Sequence, residues 1–429
     1  MFENVCTLPL SGALLSQALH PTEPILTVGL YNGRVQSLRL PPAVKPDPED
    51  LLKGPDCLVT NGKATIETLW ETRRHKKGCR GLAYTPDGAA MFSAGADGIV
   101  KHFESATGRV LSKAAIPSSD APSLIHAIDP NHIILGCDSG ALLLYDVRAA
   151  GLSARPARTT NPHGDAVSSI NPIPAFEDEY FQKPSSGFPK QFVTTGGTTL
   201  AVNDLRSDKV VESEDQEDDL LCATYMPGLG MKGAKENVLA VGGSTGVITL
   251  WDRGSWDDQQ DRMVVSREES VDAVVAVPAE VGYGRPSGKA VFAATGDGRV
   301  TMFDAGKRQA IEGGELRHDD LEGVVAMGFD CFSRLVTGGG KVVKIWEDLK
   351  DLQGEDEDSS EEGDEDSDED GSAKGTKRSR EESSDDSDSD SEEERERERR
   401  ERQRKKKEAV AARLGPMGAH GVLKFEGLD

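Results

Sequence analysis

The sequence has no closely spaced cysteine pair and no long apolar run. Its six cysteines, Cys6, Cys57, Cys79, Cys137, Cys222 and Cys331, lie far apart. Such spacing offers neither a disulfide framework nor a zinc site, and it suits a reducing compartment. No stretch approaches the roughly 20 apolar residues of a membrane span. The start lacks a charged segment followed by an apolar one, so neither secretion nor membrane insertion is expected. Aromatics are scarce at 5%, whereas glycine is plentiful at 46 residues, a balance that suits many short strands and tight turns. Positive charge is also in deficit. The net charge is −24; residues 351–429 hold 28 acids and 15 bases, a balance of −13, leaving −11 for the first 350. An acidic body lacks the positive face that phosphate contacts need, which argues against tight, sequence-independent nucleic-acid binding through the globular part, and no direct sequence-specific nucleic-acid partner is expected.

What is present is a repeat. An apolar strand, a patch of small residues with a tight turn, and a strand of alternating apolar residues recur over 25–40, 89–105, 132–148, 191–206, 237–253, 289–304 and 333–348. The turns Asn32-Gly33, Asp97-Gly98, Ser139-Gly140 and Asp297-Gly298 have hairpin chemistry, in which glycine supplies positive φ. Gly98 and Gly140 are 42 residues apart, as are Gly298 and Gly340. A period near 40 with four strands' worth of sequence per unit predicts propeller blades. After Trp346 the chain becomes highly charged, leaving the seventh blade without an outer strand downstream. Residues 2–9 are apolar enough to supply it and so remove an exposed edge.

Several strand endings are similar to the dipeptide that names WD repeats. Trp251-Asp252 carries it and Ile345-Trp346-Glu347 looks like it, with Tyr145-Asp146, Phe303-Asp304 and Phe103-Glu104 as degenerate versions. His75, His163 and His318 stand where that family's Gly-His signature falls, without the preceding glycine. The resemblance implies a buried set of His, Ser or Thr, Asp and Trp; here His75, Ser93 and Asp97 supply most of one, with Phe103 in place of Trp. The predicted fold is therefore all-β: a seven-bladed WD40 β-propeller over 1–350, followed by a disordered acidic-then-basic tail over 351–429.

The tail runs from EDEDSSEEGDEDSDEDG through KRSR and EESSDDSDSDSEEE to RERERRERQRKKK. High charge with few apolar residues cannot offset the entropy of ordering, so disorder is expected. The i, i+4 spacing of Glu396 and Arg400 suits a short helix near 395–413. Lys377, Arg378 and Arg380, and Arg402, Arg404, Lys405, Lys406 and Lys407, resemble nuclear-localisation clusters that an import receptor reads. Ser360, Ser367, Ser383 and Ser391, each followed by acids, are candidate phosphorylation sites. The layout of degenerate blades plus acidic and basic blocks resembles the WD-repeat-containing protein 55 family. That resemblance implies a nuclear and nucleolar scaffold in large-subunit ribosome biogenesis and rRNA processing, with pre-ribosomal assembly factors as partners.

A second reading rests on two strand ends. Tyr145-Asp146-Val147-Arg148 has the aromatic, Asp-x-Arg form of substrate receptors that bind a cullin-ligase adaptor. Asp204-Leu205-Arg206 is a second copy without the aromatic. Partner-specific loops are expected in the irregular segments 41–63, 147–161, 176–190, 226–237 and 278–288, whose aromatics include Phe176, Tyr180, Phe181, Phe188 and Tyr283. By phasing, the first two segments join third to fourth strands and the others first to second, which puts all five at one end of the blades.

Catalytic motifs are not expected to function. Residues 242–246 read GxSxG, yet they fall on a hairpin turn and not on a strand-to-helix elbow. Residues 366–371 match half a calcium loop but place Lys377 where the bidentate Glu belongs. Residues 284–289 are one residue short of a phosphate-binding loop and precede a strand. No histidine pair has ligand spacing. No enzyme activity, metal or cofactor is implied.

Overall fold

The computed structural model describes residues 2–41, 66–117, 120–148, 152–153, 155–174, 188–226, 238–278, 281 and 289–348. They form 28 strands in seven four-stranded antiparallel sheets, with no helix among them. In chain order β1 is Phe2–Pro9. The first blade is β2 Leu14–Leu19, β3 Ile25–Leu30, β4 Arg34–Arg39 and β5 Glu67–Arg73. The second is β6 Cys79–Tyr84, β7 Ala90–Gly95, β8 Ile99–Glu104 and β9 Val110–Ala115; the third is β10 Pro122–Asp129, β11 His132–Cys137, β12 Leu142–Asp146 and β13 Arg158–Thr160. The fourth is β14 Val167–Pro172, β15 Gln191–Gly196, β16 Thr199–Asp204 and β17 Ser207–Glu212; the fifth is β18 Leu220–Met226, β19 Val238–Gly243, β20 Val247–Asp252 and β21 Asp261–Val264. The sixth is β22 Val271–Ala276, β23 Ala290–Thr295, β24 Arg299–Asp304 and β25 Gln309–Arg317. The seventh combines β26 Ala326–Phe329, β27 Leu335–Gly339 and β28 Val342–Asp348 with β1 as its outer strand, in the order β1-β28-β27-β26.

The core is divided into seven. Each apolar cluster lies between two neighbouring blades, the last joining Cys6, Val343 and Ile345 of the seventh blade to Leu14, Leu26 and Val28 of the first. This explains the composition of the second strands: β3 and β19 are buried at every position, because both of their faces meet a neighbouring sheet. Small residues there let the sheets approach. A Cβ on Gly29 would meet Ser16 Oγ at 2.4 Å and Cys79 Sγ at 2.9 Å.

The seven turns between second and third strands each hold a glycine with positive φ, from Gly33 at 79° to Gly340 at 51°. At Gly33 a Cβ would sit 2.1 Å from the His75 carbonyl oxygen, so both backbone angle and space demand glycine. These turns and the blade-to-blade connections lie at one end of the strands. The opposite end receives the first-to-second and third-to-fourth connections.

Candidate functional site

Two places in the ring present side chains beyond the needs of packing. The first is at the third and fourth blades. Strands β12 and β16 end in Asp146 and Asp204, and two residues on each chain turn sends an arginine back. Arg148 Nε lies 3.0 Å from both carboxylate oxygens of Asp146, and its Nη2 also bonds Oδ2. Arg206 donates through Nε to Asp204 Oδ1 at 2.9 Å and through Nη2 to Oδ2 at 2.7 Å. Each backbone N–H of these arginines also caps its Asp, at 3.0 and 2.8 Å. The fork from Arg148 holds the Asp146 carboxyl well below its usual range, and the Arg206 fork lowers Asp204 in the same way. The arginine side chains stay 61% and 67% exposed, so the local bonds fix their direction without hiding them.

Around them the charges continue. His132 Nδ1 is 2.9 Å from Asp129, and Lys190 Nζ reaches the same carboxylate at 3.4 Å from the fourth blade. Arg158, first residue of β13, donates to the Asp204 and Ser207 carbonyls at 3.0 and 2.8 Å. The two Asp-x-Arg ends therefore sit on blades tied together by ion pairs. Tyr145, the aromatic of the first copy, is fully buried and supports the sheet without facing a partner.

The second place is the mouth of the central channel, at the end with the glycine turns. Six innermost strands slip register at their second residue: β2, β6, β10, β14, β18 and β22. A bulge adds twist and re-aims a side chain. The residues so inserted are Leu15, Arg80, Ser123, Ser168, Leu221 and Asp272, and the first five line a cavity of about 540 Å³. Nothing in the hydrophobic pattern announced this cavity, because a bulge leaves the strand's alternation nearly intact on either side.

The histidines singled out from sequence are ring mortar at this same end. His75 Nδ1 meets Asp97 at 3.0 Å and its Nε2 meets Ser93 Oγ at 2.9 Å. His163 bonds Thr194 and Thr199, each at 2.9 Å, and His318 bonds Thr337 at 2.8 Å, to which Trp346 Nε1 also donates at 2.9 Å. Phe103 does take the tryptophan position of its blade. Trp70 meets it edge-on with centroids 5.7 Å apart, and the Arg74 guanidinium lies 3.9 Å over its face. Burial of that guanidinium pushes its pKa down to about 10.

Burial also lowers the His163 pKa to about 4, since its ring meets threonine hydroxyls where a carboxylate would oppose the shift. The unfolded side chain takes a proton near pH 6.5, the folded one near 4, so acid favours the unfolded chain. Stability present above pH 6.5 is then lost between pH 6.5 and 4, by on the order of 2–3 kcal/mol from this residue. Urea midpoints of the parent and His163→Gln, compared at pH 7 and 4.5, are expected to converge at the lower pH; parallel curves would contradict the assignment.

The other sequence motifs resolve as turns or fall outside the described residues. Ser244 of the GxSxG match sits on the β19–β20 turn and donates to Asp218 at 2.7 Å, so its hydroxyl is a turn bond. The segment 147–161 is less irregular than its composition suggested: it contains β13, and Leu152 is buried against the second and third blades. Pairing with β12 and burial of Leu152 outweigh the Gly, Ser and Pro content. Phe188 is described and half-buried; Phe176, Tyr180, Phe181 and Tyr283 lie outside the described residues. So do Ser360, Ser367, Ser383 and Ser391, the basic clusters from Lys377 to Arg380 and Arg402 to Lys407, and the helix expected near 395–413. Described cysteines are unpaired: Cys6, Cys79, Cys137, Cys222 and Cys331. Among the described residues no group of three His, Cys, Asp or Glu side chains could hold a metal ion.

Comparison with known proteins agrees with this geometry. The model of the WD domain, G-beta repeat, matches residues 66–104, which span the fourth strand of the first blade and three strands of the second. A WD repeat-containing protein jip5 from Botryotinia fuckeliana is 47% identical over 81% of this chain and 82% of its own length. The chain belongs to the jip5 family of WD-repeat proteins. Other jip5 proteins, from Neosartorya fischeri and Emericella nidulans, are 45% and 44% identical over 83% and 82% of this chain, covering 86% and 87% of their own lengths. Propellers of this kind typically serve as non-catalytic, protein-binding scaffolds. In this jip5-family chain the departures from the WD pattern are local exchanges such as Phe103, compensated by contacts from the preceding blade.

Proposed function

We propose that this jip5-family chain is a nuclear and nucleolar scaffold acting in large-subunit ribosome assembly, as its resemblance to the WD-repeat-containing protein 55 family implies. The observation that carries the scaffold part is the closed ring. Every blade has its four strands paired, so binding falls to the side chains and connections at the two ends. The strands that flank the five long segments noted in the sequence are first and second or third and fourth of their blades, and the strand ends so joined all lie at one end of the ring. The nuclear part rests on the basic clusters of the tail beside its acidic serine blocks. Pre-ribosomal proteins and an import receptor are the partners this reading requires.

Two results are expected from a tagged full chain expressed in cells. Pre-ribosomal proteins co-purify with it, and they are lost when residues 176–187 are replaced by a short linker. Replacing Lys377, Arg378, Arg380, Lys405, Lys406 and Lys407 with Ala leaves the melting midpoint unchanged and moves the protein to the cytoplasm. A variant that still concentrates in the nucleus would refute the role of the clusters.

A second reading is favoured by the exposed, Asp-locked forks of Arg148 and Arg206 on adjoining blades. A cullin-ligase adaptor recognised through these residues would find both guanidiniums already aimed. Arg148→Ala with Arg206→Ala is expected to abolish adaptor capture and to leave the unfolding midpoint nearly unchanged, as for exposed pairs. Adaptor binding that survives the double substitution would remove this reading.

A further inference from the structure

The end of the ring that carries the glycine turns is polarised in a way the scaffold reading does not use. The connections into the fourth to seventh blades, residues 161–166, 213–219, 265–270 and 318–325, hold 11 acidic residues against the single cation Arg267. The connection into the second blade instead carries Arg74, Lys76 and Lys77, and the described part of that into the third carries Asp120 alone. The acids thus form an arc along one side of the channel mouth.

The cavity borders that arc. Asp165 and Asp219 stand in its wall, both exposed, and Glu217, Glu268 and Glu322 lie exposed on the surrounding connections. None of these five has an ion-pair partner among the described residues. The one cation in the wall, Arg80, is already held by Asp138 at 2.7 Å. The rest of the wall is apolar or neutral and polar: Leu15, Leu124, Leu221 and Val325 beside Ser123 and Gln17. Val325 is 48% exposed and its neighbour Leu321 91% exposed, a large apolar surface to leave in water. Ser123 Oγ and Gln17 Oε1 are covered from solvent and have no protein hydrogen-bond partner.

We propose that this channel mouth binds an extended segment of a partner protein, rich in lysine and arginine and carrying an apolar side chain. The proposal gives the scaffold reading a partner chemistry and rests on it. An apolar side chain enters between Leu124, Leu221 and Val325, and flanking cations lie over the acid arc. The aliphatic stems of lysine and arginine suit the same wall, since they bury methylenes while the charge stays at the rim. Nucleic acid is repelled by the same arc.

The test uses the purified full chain and a labelled synthetic peptide of alternating Lys and Arg with one central Leu, read by fluorescence anisotropy. Asp165→Lys with Asp219→Lys is expected to weaken binding about tenfold or more at low salt, with the difference shrinking as salt screens the charges. Val325→Ser is expected to weaken the Leu peptide severalfold but not a peptide with Ser in place of Leu. Undiminished binding to the Asp165→Lys/Asp219→Lys variant would place the peptide on the acidic run of the tail and overturn the proposal. Tighter binding of a single-stranded RNA than of the peptide would also overturn it. Co-purification of pre-ribosomal proteins, equal for parent and variant, would leave the scaffold standing while this inference fell. Peptide binding without such co-purification would retain the site and remove the ribosomal reading.

Discussion

A chain lacking residues 1–11 is expected to melt on the order of 10 °C below the full chain, from a loss of roughly 5 kcal/mol. The reason is covalent economy: the seventh blade is closed by a strand from the other end of the described chain. β1 pairs with β28 from Phe2↔Asp348 to Pro9↔Val342, with one register shift between Asn4 and Cys6. Phe2 is buried and meets Phe292 of the sixth blade edge-on at 5.2 Å, while Cys6 and Leu10 enter the cluster shared with the first blade. Removing them bares Val343, Ile345 and Trp346 and leaves β28 as an open edge, which invites association between chains. Scanning calorimetry of the truncated chain, with and without a synthetic peptide of residues 1–11, checks this. The peptide is expected to restore part of the lost midpoint. Equal midpoints for truncated and full chains would show that β1 contributes only decoration.

The second large effect is expected at Asp330. Its carboxylate pairs with Arg334 Nε at 2.8 Å and Nη2 at 2.7 Å, and both side chains are almost fully buried, 1% and 2% exposed. Arg334 Nη1 in turn donates to the Pro41 carbonyl at 2.8 Å, so the pair ties the seventh blade to the chain leaving the first. Asp330→Ala strands a buried guanidinium with that carbonyl as its remaining hydrogen-bond acceptor, a loss expected to reach about 3–5 kcal/mol. Arg334→Met is expected to cost less. Asp330 would still accept the Phe332 and Arg334 backbone N–H groups at 3.0 and 2.9 Å, and Met fills the apolar part of the space. Equilibrium urea unfolding of the two variants should rank them in that order. The reverse ranking would mean that the turn around Asp330, and not the buried charge, sets the cost.

Much of the blade pattern was legible in the chain. The second strand of each blade is a run of small and apolar residues because two sheets press on it, and the glycine after it is required by positive φ; both demands are local and leave a mark at fixed spacing. The histidine sets were legible at His75, where Ser93 and Asp97 follow at the family's spacing. At His163 the chain offers Thr194 and Thr199 across an insertion, and only the folded ring brings them within 2.9 Å. The Asp-x-Arg ends could be picked out as strings. Their locking as forks could not, since Asp-x-Arg in an unpaired segment imposes no such geometry.

The amino-acid sequence by itself determined the class of fold, the number of blades and the hairpin turns, because period-2 alternation and obligatory glycines are read from neighbouring residues. It also determined the separation of an apolar-patterned body from a charged tail, since burial cannot be achieved without apolar side chains. Only the tertiary structure decided which blades adjoin through Arg158 and Lys190, how Trp70 and Arg74 replace a missing tryptophan, and that the inserted residues of five innermost strands converge on one cavity. Those outcomes depend on contacts between residues tens to hundreds of positions apart, and on bulges whose extra residue leaves no periodic trace. The acid arc belongs with them: its four connections are scattered along the chain, and closing the ring sets them side by side.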